Sequence, residues 1–248
     1  MTVDGWAKAV RQQVGLGRLL PLGGPRDGAW ITEKAAGSVL RRAADSTRGV
    51  RLGSLRISPI DPEASYDPAV PPPPSALPPG PLRIGADFLA SADPTAPATE
   101  SLPVTAARLR DSLATAANEH LGLTVTEVDL RVTDLADADE DTTTAAPADE
   151  RPGDEPVPEP PGDGEEAHVA AAALSVPGVT RLTGALGGRA RAVHLVETGP
   201  ALPRRHVRVE VAVTTAERVL DVARGVRVAV GEALPDHPSV AVVVTAVD

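Results

Sequence analysis

The stretch "EEAHVAAAALSVPGVTRLTG", residues 165–184, decides how the rest of the chain is read. Its first half, over residues 166–176, is apolar and small, with alanines at 170–173, and predicts a helix. Pro177 and Gly178 end that helix: proline cannot continue it, and glycine accepts the left-handed cap position. Val179 then opens an alternation of polar and apolar residues, the period of a strand. A helix with so small a face can lie close against a sheet.

Working toward the C-terminus, residues 179–197 predict a strand, a Gly-rich turn around "GALGGRA" and a second stretch, "VHLVE". "RHVRVEVAVTT" (205–215) alternates strictly, with Val207, Val209, Val211 and Val213 on one face. "AERVLDVARGVRVAVGEAL" (216–234) places Val219, Val222, Val226, Val230 and Ala233 at helical spacing. "SVAVVVTAVD" (239–248) is a closing strand. The order is α-β-β-α-β.

A blurred copy of the opening stretch lies far upstream, "SVLRRAADSTRGVRL" at 38–52. The region around it has the same order. A helix over 31–47 carries Ala35, Val39 and Ala43 on one face and ends at Gly49. Strands follow at 50–58 and 81–90, the latter with Leu82, Ile84, Ala86 and Phe88 facing one way. A helix over 102–122 presents Leu109, Leu113, Ala116 and His120, and a strand over 123–135 closes with Val128, Leu130 and Val132 on one face. This is the signature of a diverged internal duplication.

The predicted fold class is therefore α+β: two small α-β-β-α-β two-layer sandwiches, joined by a disordered, acidic, Pro-rich linker. The domain reading is an N-terminal amphipathic or irregular segment (1–30), a first module (31–135) with a Pro-rich insertion (61–81), the linker (136–165), and a second module (166–248). Residues 136–166 hold twelve acids against the single base Arg151, so this segment alone carries −11 and the remainder of a chain of formal charge −10 sums to +1. Few and small apolar residues with recurrent Pro and Gly cannot bury enough surface to offset chain entropy. In the insertion, prolines 71–74 favour polyproline II. They make either a docking peptide for an aromatic groove or, the preferred reading, a stiff excursion between two strands.

With Trp6, Trp30, Tyr66 and Phe88 the whole Trp, Tyr and Phe content, the core must be built of Val, Leu, Ile and Ala. No cysteine occurs, which excludes disulfides, thiolate metal sites and thiol nucleophiles. No signal peptide and no membrane-length apolar run is visible, and a cytoplasmic location is expected. The Arg and Ala bias fits a GC-rich genome.

"ITEKAAGSVLRRAADSTRGVRL" and "EEAHVAAAALSVPGVTRLTG" resemble the start of the bacterial alkaline-shock-protein, or envelope stress response, family, in an actinobacterial form with two copies. Ile31, Val39, Ala43, Gly49 and Val50 fit the pattern in the first copy; Val169, Ala172, Val176, Pro177, Gly178 and Val179 fit it in the second. The resemblance implies a non-enzymatic cytoplasmic scaffold of the general stress type. It would act by protein–protein assembly and self-association, and a small membrane-anchored partner would recruit it to the inner face of the membrane. It implies no cofactor and no small-molecule substrate. The chain departs from the family pattern in its duplication, its Pro-rich insertion and its acidic linker.

Candidate chemistry is sparse. His120, His168, His194, His206 and His237 show no metal-ligand spacing. No nucleophile elbow is present, and Ser46, Ser175 and Ser239 sit at element boundaries, where capping or turns suit them. The "GALG" of 184–187 spells a nucleic-acid-binding G-x-x-G but lies between strands rather than helices. Arg181, Arg189, Arg191, Arg204, Arg205 and Arg208 gather around the second hairpin and form a candidate partner- or anion-binding patch, which the acidic linker would screen by folding back. An anion- or nucleic-acid-binding regulator built on this Arg-rich hairpin (181–208) is the alternative function; the lack of aromatic stacking platforms argues against nucleic acid. Trp6, Val10 and Val14, in a helix-like stretch capped by Asp4, are candidates for docking on a membrane or a partner.

Overall fold

The computed structural model describes residues 16–64, 66–91, 101–136, 164–186, 191–198 and 204–248. Among them are four α-helices and nine strands, an α+β protein. Helices are α1 (Glu33–Asp45), α2 (Leu102–Thr115), α3 (Glu165–Leu174) and α4 (Val219–Ala233). Strands are β1 (Leu19–Leu22), β2 (Ala29–Thr32), β3 (Val50–Pro59), β4 (Leu82–Ser91), β5 (Val125–Ala136), β6 (Val179–Leu182), β7 (Val193–Thr198), β8 (Arg204–Val213) and β9 (Ser239–Val247).

The two α-β-β-α-β runs form two sheets with matching topology. In the first, β3 is antiparallel to β4, and α2 carries the chain across to β5, parallel to β4. In the second, β6 and β7 are both antiparallel to β8, and α4 carries the chain to β9, parallel to β8. The break between β6 and β7 falls where β3 has a register shift between Leu52 and Leu55. A bulge in one copy is a loop in the other.

The ends of α1 and α3 match in detail. Ser46 Oγ donates to the Ala43 carbonyl at 2.6 Å, and Ser175 Oγ to the Ala172 carbonyl at 2.7 Å. Gly49 and Gly178 follow at φ +74° and +87°, the left-handed position that a side chain disfavours. Leu40 and Val169, six residues before each Ser, are both fully buried, as are Ala44 and Ala173.

Two expectations are corrected. The segment 1–30 is not irregular throughout: β1 and β2 form an antiparallel hairpin, and β2 pairs in parallel with β9, so the N-terminal region extends the second sheet. Ile31 consequently lies in β2, and α1 starts two residues later. Thr32 caps it, with Oγ1 accepting from the Ala35 N–H at 3.2 Å. The two units share a core: α1 contacts both β3 and β9, and one buried apolar cluster runs through both sheets. Second, His120 does not continue the stripe of Leu109, Leu113 and Ala116. Residues 116–121 form a π-helical turn, which holds more residues per turn and rotates the stripe by one position. Leu121 is therefore buried and His120 is exposed. The linker falls mostly on 137–163, outside the described residues.

The Pro-rich excursion packs on the chain itself. Its Val70 and Ala76 join Leu19, Trp30, Ala241 and Val243 in a second apolar cluster on the face of the second sheet that points away from the helices. β9 is thus apolar on both faces.

Candidate functional site

The strict alternation of β8 sorts its side chains. Val207, Val209, Val211 and Val213 face the helices and are fully buried. Arg208 and Glu210 share the opposite row with His206. The arginines expected as one patch are therefore divided. Arg205 lies on the valine row at the start of β8, opposite Glu197. Arg208 lies on the other face, opposite His194. Arg181 sits opposite Ala212, near the far end of the strand and about 20 Å from Arg205 at strand rise.

Each described arginine side chain of this set meets a carboxylate of the folded chain. Arg205 joins Glu165, the first residue of α3, to Asp236 after α4, at 3.2 Å from the latter. The pairing with Glu165 holds the Arg205 guanidinium above its ordinary pKa, although desolvation opposes this. Arg191 is 3.5 Å from Glu166, and Arg181 is 3.5 Å from Asp248. An incoming anion must compete with these residents. Arg204 is placed by its backbone in β8; Arg189, Trp6, Val10 and Val14 lie outside the described residues.

Sequence reasoning missed the most buried acid. Glu210 is fully buried on the outer row of β8. It fastens the β6–β7 connection three times: its carbonyl accepts from the Thr183 N–H at 2.9 Å, its N–H donates to the Ala192 carbonyl at 2.9 Å, and its Oε2 accepts from the Leu186 N–H at 2.8 Å. Its Oε1 is 3.6 Å from His194 Nε2 and 3.7 Å from Arg208 Nη2, close enough for charge attraction but too long for a hydrogen bond. Beside them, His206 Nδ1 is 2.9 Å from Ser239 Oγ. Burial, and secondarily Arg208, push the His206 pKa down, against the contact with Ser239. The only acid within "RHVRVEVAV" was the available signal; alternation placed it on a face that the sequence left in solvent.

A cleft of about 600 Å³ opens where α1, the π turn and the start of α4 meet. Val39, Ala43, Leu121 and Val219 supply apolar lining, while Arg42, Asp111, His120 and Glu217 supply polar lining. The π turn is pinned on both sides. Asn118 bonds the Val125 backbone in both directions, at 2.9 and 3.0 Å, and Arg218 donates to the Asn118 carbonyl at 3.0 Å.

The first sheet differs from the second. Neither β3 nor β5 has a further strand beside it among the described residues. Its outer face carries cross-strand ion pairs, Arg83 with Glu127 and Asp129, and Arg131 with Asp87. Among the described residues, no cluster of three or more metal-ligating side chains occurs and no helix is long and apolar enough to cross a membrane. No protein-family model, curated protein or solved structure matches the chain.

Proposed function

We propose that the chain is a non-catalytic, cytoplasmic scaffold or adaptor of the envelope-stress type. It works by protein–protein assembly and is held at the inner face of the membrane by a small membrane-anchored partner. The observation that carries this reading is the first sheet. Its outer strands, β3 of 10 residues and β5 of 12, keep one row of backbone groups with no neighbouring strand among the described residues. Such edges accept an added strand, from a partner or a second copy. Exposed charge along them, Arg51 and Arg56 on β3 and Glu127 and Asp129 on β5, disfavours indiscriminate pairing and selects a complementary strand. The doubled cap geometry of Ser46–Gly49 and Ser175–Gly178 supports the duplicated-module form of the proposal.

The test is fractionation of the tagged protein from its native host, with low-salt and then high-salt washes of the membrane pellet. Recovery in the pellet, followed by detergent release together with one small membrane protein, is the expected result. A protein that stays wholly soluble at low salt, with no cross-linked partner on β3 or β5, overturns the reading.

A further inference from the structure

We propose that the outer face of the second sheet, along β1, β2 and β9, is a docking groove for an extended proline-containing peptide, and that residues 70–77 of the chain occupy it as an intramolecular ligand. Four side chains build the floor, Leu19, Trp30, Ala241 and Val243, each no more than 1% exposed. Gly28 completes it. A Cβ at Gly28 would stand 2.9 Å from Val70 Cγ2, so its missing side chain is the space that Val70 enters.

The occupant packs on the floor through Val70 and Ala76, with a buried residue, Pro73, midway between them. Val70 and Pro73 are buried and Ala76 packs on the cluster, while Pro71, Pro72 and Pro74 between them are exposed. A spacing of three is that of an extended proline-rich chain. A turn interrupts it, with the Ala76 N–H donating to the Pro73 carbonyl at 3.1 Å and Ser75 at φ +66°. The backbone is read as well. Leu19 and Ala76 form a parallel bridge: the Leu19 N–H donates to the Ser75 carbonyl at 3.2 Å, and the Leu77 N–H donates to the Leu19 carbonyl at 2.8 Å. The Trp30 indole N–H reaches the Leu77 carbonyl at 3.4 Å.

These are the elements of peptide capture: an edge strand that gives main-chain bonds, an indole that donates to a ligand carbonyl, and pockets at fixed intervals. None of the contacts requires that the peptide be joined to β3 and β4. The same groove therefore accepts in trans a segment with a branched apolar residue, a proline three positions on and a small residue three further on. The resident segment excludes it through the high effective concentration that tethering at both ends confers.

The experiment uses the full chain with Trp6→Phe, which leaves Trp30 as the single tryptophan. In one variant residues 70–77 are replaced by a Gly-Ser run of equal length; in a milder one, Val70→Ser loosens the resident segment. The probe is the synthetic peptide AVPPPPSALP, residues 69–78, and binding is read from Trp30 fluorescence. The expected result is saturable binding to the replaced chain, at least about tenfold tighter than to the unaltered chain, and loss of binding when the valine of the peptide is changed to Asp. A replaced chain that unfolds cooperatively yet ignores the peptide overturns the proposal, as does equal binding of a scrambled peptide. Should the replaced chain not fold, the Val70→Ser chain decides: tighter peptide binding than the unaltered chain supports the groove, and no difference overturns it.

Discussion

β5 and β9 hold the same place in their two units, each the last strand, parallel to its neighbour and reached through a helix. Yet they are built differently. β5 reads VTEVDLRVTDLA, alternates, and lies at an edge with charge on its outer face. β9 reads SVAVVVTAV and lies between β2 and β8, with Val240, Val242 and Val244 buried on one face and Ala241 and Val243 on the other. One topology has thus yielded one sheet whose last strand is an edge and one whose last strand is covered. The closing parts are local additions: the β1–β2 hairpin covers the edge of β9, and the Pro-rich excursion covers its outer face. The two runs keep one order of elements and differ in what covers their sheets.

The largest expected effect tests this contrast directly. Val243→Asp puts an unpaired carboxylate between the sheet and the Pro-rich cover and costs about 4 kcal/mol or more. Arg131→Asp on the outer face of β5, where the side chain is 79% exposed, costs about 0.5 kcal/mol. Denaturant titration of both variants is the check; equal losses would mean that β9 is not covered on its outer face.

A smaller difference separates the two glycine caps. Gly178→Ala must accept φ +87° and a Cβ 2.7 Å from Val222 Cγ2, and loses about 2–3 kcal/mol. Gly49→Ala must accept φ +74°, at a cost of about 1 kcal/mol. Thermal melts that rank the two the other way would break the equivalence of the α1 and α3 ends.

The smallest effect lies in the hairpin that closes the second sheet. Asp27 accepts from the Gly24 N–H at 2.7 Å and from Arg224 Nε at 2.8 Å. Burial pushes its pKa up, but Arg224 and the Gly24 N–H outweigh burial and hold it below the ordinary carboxylate value. A depressed folded pKa stabilises above the unfolded value, near 3.9, and that stability is lost as pH falls through the folded one. Asp27→Asn should therefore cost under about 1 kcal/mol at neutral pH, since Arg224 is half exposed, and nothing in strong acid. Paired melts at the two pH values check this; a cost that persists in acid would assign Asp27 a role other than its charge.

Much of the fold was legible from local pattern. The helices and strands of the two runs, β1 and β2 apart, fall within a few residues of their predicted bounds because valine alternation and alanine spacing are strong periodic signals. The valine rows of β8 and α4 are buried as read. The π turn was not legible, since one extra residue per turn leaves no mark in composition; it exchanged His120 for Leu121 in the core. The arginine cluster failed for a related reason. Nearness in sequence along a strand places alternate residues on opposite faces, and the carboxylates that meet them arrive from the start of α3, the turn after α4 and the C-terminus.

By itself the sequence determined the α-β-β-α-β order of both runs and most of the residues that line each helix-facing core, since these follow from periods of 3.6 and 2. Only the tertiary structure decided what covers the other side of each sheet. The residues 19–32 that extend the second sheet lie more than 200 positions from β9, and the Pro-rich segment that buries Trp30 sits within the first unit. Such contacts depend on which surfaces meet once the chain is folded, and no local period encodes that choice.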